Sequence, residues 1–313
     1  MKDHTLSIII PINNEELNIP ILAIEIAREL ENVIKYEVIW VDDGSTDNSW
    51  KQIVQLGDLN KGIKLYKNYG QSSAIMAGIL SAESDLILTM DGDLQNDPKD
   101  IKRMLNIFSE EIDLVQGYRE NRHDKIISRK IPSYFANKFA EKILSKSLID
   151  LGCTLRLFRS SLIESNKLMG EMHRIFGLYL VTNGANFIQI PVNHRPRING
   201  KSKYGLERTY KFLADITLLK FMNTIVNKPL YLFFRFAILT LLSSITLLIL
   251  AFMLRILNIK DYIDSVFIVG SLILFSTAIL LLSLGLVSEI LSRVYLSLNP
   301  KAQFTIRTKI GYK

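Results

Sequence analysis

The sequence predicts a doubly wound α/β domain followed by two membrane-spanning helices, on three observations. Short, β-rich apolar runs alternate with longer helical patterns through the first 120 residues. Clusters rich in Asp and Asn follow three of those runs, at the sheet edge where such folds bind ligands. Past residue 230 the polarity falls away into two long uncharged stretches. The 48% hydrophobic content and mean hydropathy of +0.19 across 313 residues are concentrated there, which indicates a membrane segment rather than an enlarged core.

Candidate strands are Ser7–Ile10, Glu37–Val41, Ile63–Tyr66, Leu86–Met90 and Asp113–Gln116. Candidate helices between them are Glu15–Glu31, Asp47–Leu56, Ser72–Ala82 and Pro98–Phe108. Continuous apolar strands separated by helices of about ten or more residues indicate a parallel sheet covered on both faces. Thr154–Phe158 and Phe187–Val192 read as further strands. The N-terminal apolar stretch, Leu6 to Ile12, is broken by Ser7 and Pro11 and is too short for a secretory signal, so it reads as a first buried strand.

Residues 118–146 carry eight Lys/Arg against three acids, and 193–211 carry six against Glu207 alone. Overall charge is +7, which suits phosphorylated substrates, anionic lipid or nucleic acid. Nucleic acid is set aside because these basic residues flank membrane spans and an acidic motif that would repel a backbone. Cys153 is the single cysteine, which excludes an internal disulfide and a cysteine-built metal site.

Phe236–Leu254 and Val266–Ser288 are 19 and 23 residues without a charge. A spanning helix needs about 20, and neither shows the polar stripe of a surface-core helix. The connector Arg255–Ser265 is short, so the chain returns to its starting side. The tail beyond Glu289 carries Arg293, Lys301, Arg307, Lys309 and Lys313 and no acid. The bias of basic residues toward the cytoplasm places this tail and the N-terminal domain there. Ala214–Ile225 reads as an amphipathic helix on the membrane surface. The expected organisation is 1–204 catalytic domain, 205–229 juxtamembrane helices, 230–290 two spans and 291–313 basic tail.

Thr89-Met90-Asp91-Gly92-Asp93-Leu94-Gln95 ends an apolar strand in two carboxylates one residue apart. Hard oxygen ligands in this arrangement suit Mg²⁺ or Mn²⁺, which also bind substrate phosphates. The plain alternative is a polar turn with an Asp capping the helix after Pro98. Val41-Asp42-Asp43-Gly44-Ser45-Thr46-Asp47 is both a helix start and a place where a strand-end carboxylate can bond a base N–H or a ribose hydroxyl.

IIIPINNEE, EVIWVDDGSTDNS, KNYGQSSAIMAGI and LTMDGDLQNDP occur in the order and spacing of family-2 glycosyltransferases with the GT-A fold. GYRENRHDKIISRKIPS, DLGCTLRLFR, GEMHRI, PVNHRPRINGKSKYG and the two spans resemble the polyprenyl-phosphate branch, which is similar to dolichol-phosphate mannose synthase. The resemblance covers residues 5–295 and implies a Rossmann-like mixed sheet. It implies that Pro11, Asn13, Glu15, Asp42, Asp91, Lys201 and Lys203 bind the nucleotide, and that Asp91, Asp93 and Gln95 hold the metal. Arg119 and Arg122 would meet phosphate or acceptor. Arg129, Lys130, Ser133, Arg197, Ser202 and Tyr204 would serve the acceptor entrance and the basic loop over the diphosphate. Asp150 is either sugar-facing and base-like or a loop cap, and Glu171, His173 and Arg174 would border the sugar. His194 reads as a structural loop histidine, and Glu289 with Arg293 as a helix-end pair or a head-group contact.

The implied reaction is metal-assisted transfer from a UDP- or GDP-sugar to a polyprenyl phosphate at the cytoplasmic face, by a homotetramer. The chemistry requires no strong base, because a lipid phosphate with a last pKa of about 6 is already anionic. A processive synthase of the same fold would carry Gln-x-x-Arg-Trp, whereas Trp40 and Trp50, both in the nucleotide half, are the only tryptophans. No G-x-G-x-x-G follows the first strand and no P-loop occurs, against a dinucleotide oxidoreductase. A scaffold that kept the fold but lost catalysis is disfavoured by the intact Asp-Gly-Asp.

Overall fold

The computed structural model describes residues 5–57, 59–120, 148–163, 173, 175–182, 184–196, 217, 229–257, 266–297 and 304–312. The chain divides into two compact units. The first comprises Met1–Thr217 with Pro300–Lys313, and the second Leu218–Asn299.

The first unit is built on an eight-stranded mixed sheet: β1 (Thr5–Ile12), β2 (Lys35–Asp42), β3 (Asn60–Leu65), β4 (Leu86–Thr89), β5 (Leu114–Arg119), β6 (Arg156–Arg159), β7 (Phe187–Val192) and β8 (Ile306–Ile310). Their order is β7-β5-β6-β4-β1-β2-β3-β8. β4, β1, β2 and β3 run parallel. The sheet is not parallel throughout. β6 lies antiparallel between β4 and β5, and β8 lies antiparallel on β3.

Helices α1 (Ile19–Leu30), α2 (Ser49–Val54), α3 (Gln71–Ile79) and α4 (Lys99–Ile107) connect the early strands, and α5 (Phe176–Thr182) precedes β7. Helix α1 buries Ile19, Leu22, Ile26 and Leu30 in a core shared with Leu6, Ile8, Ile10, Met104 and Leu157. The opposite, odd-numbered face of β1 receives α3, which is buried all round. α1 starts four residues later than the sequence pattern predicts. The amides of Asn14, Glu15 and Glu16 donate instead to Ser45 Oγ, Ser49 Oγ and Asp47 Oδ2 of the neighbouring loop, and Pro20 supplies the preset φ of a first helical turn.

The segment read as a basic tail contributes a strand. β8 is mostly exposed, and its partner β3 would otherwise end the sheet with unpaired backbone.

The second unit contains α6 (Pro229–Ile256) and α7 (Val266–Ser297), both long and apolar enough to cross a membrane. They are not soluble-core helices, since large apolar side chains such as Phe234, Leu239, Leu248, Leu272 and Leu280 are exposed. Small residues line their mutual contact at seven-residue intervals: Ala237, Ser244 and Ala251 on one helix, Ser271, Ala278 and Gly285 on the other, where a Cβ on Gly285 would come within 2.9 Å of Phe233. Ser244 and Ser271 each donate to the other's backbone carbonyl, at 2.8 and 2.9 Å. That pattern suits helices that associate where no hydrophobic effect drives them together. Glu289 and Arg293 form an exposed pair at 2.9 Å.

Candidate active site

Strands β1, β2 and β4 end at one edge, where the order of strands reverses between β1 and β4. Three loops meet there. Asp42, the last residue of β2, is fully buried, and its Oδ1 accepts from Ser45 N at 2.9 Å. It therefore caps its own turn. Gly44, next in the turn, has φ +66°, and a Cβ there would come within 2.5 Å of Asn68 N. Asn13 Nδ2 donates to Asp43 O at 2.9 Å, and Glu15 accepts from Asn18 Nδ2 at 2.5 Å. Pro11 pairs with Val41 in the β1–β2 ladder.

Asp43 was not singled out by sequence. Its carboxylate accepts from Tyr69 N at 2.7 Å and Gly70 N at 2.9 Å, tying the β2 turn to the start of α3. Burial raises its pKa, partly offset by those two N–H donors.

The metal-motif loop follows β4. Gly92 is required by close approach rather than by φ, since a Cβ would lie 2.4 Å from Ile12 Cδ1. Leu94 is held at φ 62° and is fully buried. This left-handed step folds Gln95 back so that its N–H donates to Asp93 Oδ1 at 3.2 Å. A non-glycine residue in that region stores roughly 1–2 kcal/mol.

Asp91 keeps a partly open edge, but its carboxylate is enclosed. Oδ1 accepts from Gln71 Nε2 at 2.7 Å and Oδ2 from Thr154 Oγ1 at 2.8 Å, while Asn96 Oδ1 accepts its N–H at 3.0 Å. Burial and the Asp93 charge push Asp91 up to about 6, against the Thr154 hydroxyl and the Arg156 and Arg119 charges. Two carboxylates that repel in a desolvated loop make a place where a cation is favoured. Asp91, Asp93 and Gln95 offer only oxygen donors, which suits Mg²⁺ or Mn²⁺. Among the described residues no group of three or more His, Cys, Asp or Glu comes together, so substrate phosphates and water would complete such a shell.

Arg119 and Asp150 meet as a fork: Nε to Oδ2 at 2.6 Å and Nη2 to Oδ1 at 2.9 Å. Gly152 N donates to the same carboxylate at 3.1 Å. Such a pair orients Arg119 beside Asp91, and with the Gly152 amide it favours the loop-cap alternative for Asp150 over a base. His173 is buried. Its Nδ1 lies 3.1 Å from Ser72 Oγ, which also accepts from His173 N at 3.0 Å. Gln71 and Ser72 at the start of α3 thus touch the metal motif and the His173 segment in consecutive positions.

Arg156, like Asp43 and Gln71, is a residue that sequence reasoning missed. It is fully buried in β6 and donates to Gln116 Oε1, His173 O and Leu151 O. Burial lowers its pKa to about 10, and it stands as a fixed positive charge near Asp91. The one available signal is a charged residue inside the apolar run Leu155–Phe158. Burial pushes Cys153 up to about 11, in keeping with an inert buried thiol. Arg122, Arg129, Lys130, Ser133, Glu171, Arg174, Arg197, Lys201, Ser202, Lys203 and Tyr204 lie outside the described residues, as does all of Ala214–Ile225 except Thr217.

The segment after β7 locks onto Asp97 and Asp100, just past the Asp91–Asp93 loop. Asn193 bonds Asp97 and Asp100, and Arg195 bridges Asp97 to Glu25 of α1. Although burial opposes it, Asn193, the Lys99 amide and Arg195 hold Asp97 below the usual carboxylate range.

Among known proteins, the dodecaprenyl-phosphate galacturonate synthase of Rhizobium johnstonii is 35% identical over 311 residues, covering 96% of this chain and 92% of that one. The undecaprenyl-phosphate 4-deoxy-4-formamido-L-arabinose transferase of Proteus mirabilis is 31% identical over 320 residues, covering 100% and 96%. A solved structure of Mycobacterium tuberculosis glucosyl-3-phosphoglycerate synthase with Mn²⁺, UDP and phosphoglyceric acid shares the fold. Its TM-score is 0.56 at 15% identity, over 70% of this chain and 78% of that one. The sequence profile described as Glycosyl transferase family 2 matches residues 7–166. With most of β1, all of β2 and β4 and the Asp91–Asp93 loop inside that match, the chain belongs to glycosyltransferase family 2 and is a glycosyltransferase.

Proposed function

We propose that this enzyme transfers one sugar, with inversion, from a UDP- or GDP-sugar to a polyprenyl phosphate at the cytoplasmic membrane face. The observation that carries the reading is likeness over nearly the whole chain to two enzymes both named for joining a sugar to a prenyl phosphate. Two apolar helices in the same chain fit an acceptor that resides in a bilayer.

In this reading a phosphate oxygen of the acceptor attacks the anomeric carbon. The bond from that carbon to the β-phosphate oxygen breaks, and its electron pair leaves with the nucleoside diphosphate. Mg²⁺ or Mn²⁺ at Asp91, Asp93 and Gln95 would stabilise the charge developing on the diphosphate. Arg119, oriented by Asp150, and the fixed charge of Arg156 temper the acidic loop. Lys201 and Lys203 are assigned to the diphosphate, and Arg129, Lys130 and Ser133 to the acceptor, by resemblance alone. Since β8 hydrogen-bonds to β3, the chain leaves and re-enters one domain. Two crossings would then return the chain to its starting side, and the basic residues of the tail support the cytoplasm as that side.

The test uses steady-state kinetics with both substrates varied. Asp93→Ala is expected to abolish transfer in a protein that still folds and sits in membranes; full activity would remove the metal assignment. Replacing Arg129 and Lys130 is expected to raise KM for lipid phosphate more than for donor. Equal effects would contradict the acceptor placement.

A further inference from the structure

Gln95 is held at every polar group but one. Its N–H donates to Asp93, and its carbonyl accepts from Arg195 N at 2.9 Å. Its side-chain Nε2 lies 3.4 Å from Arg195 O and 3.3 Å from His194 Nε2. A backbone carbonyl only accepts, so the amide atom facing Arg195 O is the nitrogen, which settles the two ends of the amide. The same nitrogen faces His194 Nε2. That ring nitrogen must therefore be the acceptor, with the neutral ring's proton on Nδ1. What remains is Gln95 Oε1, which carries no hydrogen bond among the described residues.

His194 cannot drift from this position. Asn96 and His194 form an antiparallel bridge, and both neighbours are fixed: Asn193 on Asp97 and Asp100, Arg195 on Asp97 and Glu25. The arrangement places a rigid acceptor behind one end of a rotatable amide and leaves the other end free.

We infer that His194 is a positioning residue, whose Nε2 holds the Gln95 amide so that Oε1 is presented to the cation drawn by Asp91 and Asp93. The inference rests on the metal reading of that loop. Partners that orient a ligand this way are worth about 10–100-fold in metal affinity.

The experiment titrates Mn²⁺ into the full-length protein in detergent micelles, with UDP and separately with GDP, and reads free Mn²⁺ by its magnetic resonance signal. His194→Leu removes the acceptor and is expected to weaken Mn²⁺ binding about 10–100-fold. Nucleotide binding without metal and the metal-free melting temperature should stay unchanged. His194→Gln, whose side-chain oxygen can accept, should restore most of the affinity, and Gln95→Ala combined with His194→Leu should be no worse than Gln95→Ala alone. Wild-type Mn²⁺ affinity in His194→Leu, with Asp93→Ala and Gln95→Ala impaired, overturns the role of His194 and leaves the metal site standing. A directly bonded imidazole nitrogen in the Mn²⁺ spectrum also overturns it. Unchanged affinity in Asp93→Ala and Gln95→Ala removes the metal site itself, and this inference with it.

Discussion

Replacing Asp91 by Asn should make the metal-free protein more stable while destroying its activity. Asp91 titrates at about 6 in the folded chain, against an ordinary value of 3.8. The folded state therefore keeps a proton that the unfolded chain releases. Stability falls as pH rises from about 4 to about 6, and the deficit persists above that. The full deficit is about 3 kcal/mol, and the site's partly open edge reduces it to roughly 1–3 kcal/mol. Asn fits the same contacts. Its oxygen can accept from Gln71, and its amide can donate to Thr154 Oγ1, whose hydroxyl turns to Asn96 Oδ1, 3.3 Å away. For a domain of this size the gain is about 2–4 °C per kcal/mol. The assay is thermal unfolding of the full chain in detergent with a chelator, from pH 4 to 8. The variant should melt higher at pH 8, and its advantage should vanish toward pH 4. Mn²⁺ with nucleotide should raise the wild type but not the variant. A variant that melts lower at pH 8, or an advantage independent of pH, refutes the reasoning.

Arg156→Met leaves three buried acceptors without a donor and is expected to cost about 3–5 kcal/mol, read as a lowered unfolding midpoint. Thr308→Pro removes a backbone donor from β8, where Thr308 pairs with Lys64; partial release of the edge of β3 should appear as self-association in light scattering. Ser244→Ala with Ser271→Ala should show a coupling of about 0.6 kcal/mol in a double-mutant cycle of hairpin stability, and additivity would mean the pair does not hold the helices.

The central strands were legible because their residues are buried on both faces: Ile8–Ile10 and Val38–Val41 are continuous apolar runs and lie at 0–2% exposure. The Asp91–Asp93 loop was legible because an apolar strand ends abruptly in carboxylates. The placement of β6 was not, since a run such as Leu155–Phe158 carries no mark of direction or neighbour. β8 was not legible either. Arg307, Thr308 and Lys309 are exposed, and the strand holds its place through backbone pairing and the packing of Ile310 on the core, too short an apolar pattern to mark a strand. Arg156, Asp43 and Gln71 escaped notice for a common reason. Each acts through a partner distant in sequence, and only the fold brings those partners within 3.1 Å. Ser244 and Ser271 lie on the contact stripe of the spans, while Ser243, Ser276 and Ser283 are exposed and bond within their own helices; the seven-residue spacing has meaning only once two helices are paired.

The central claim is that one sugar is joined to a lipid monophosphate. Purified full-length protein, incubated with undecaprenyl phosphate, Mg²⁺ and a panel of UDP- and GDP-sugars, should yield with one donor a lipid whose mass equals the acceptor plus a single sugar, with release of nucleoside diphosphate. A lipid carrying a second phosphate, a growing polysaccharide, or no lipid product with any donor would contradict it.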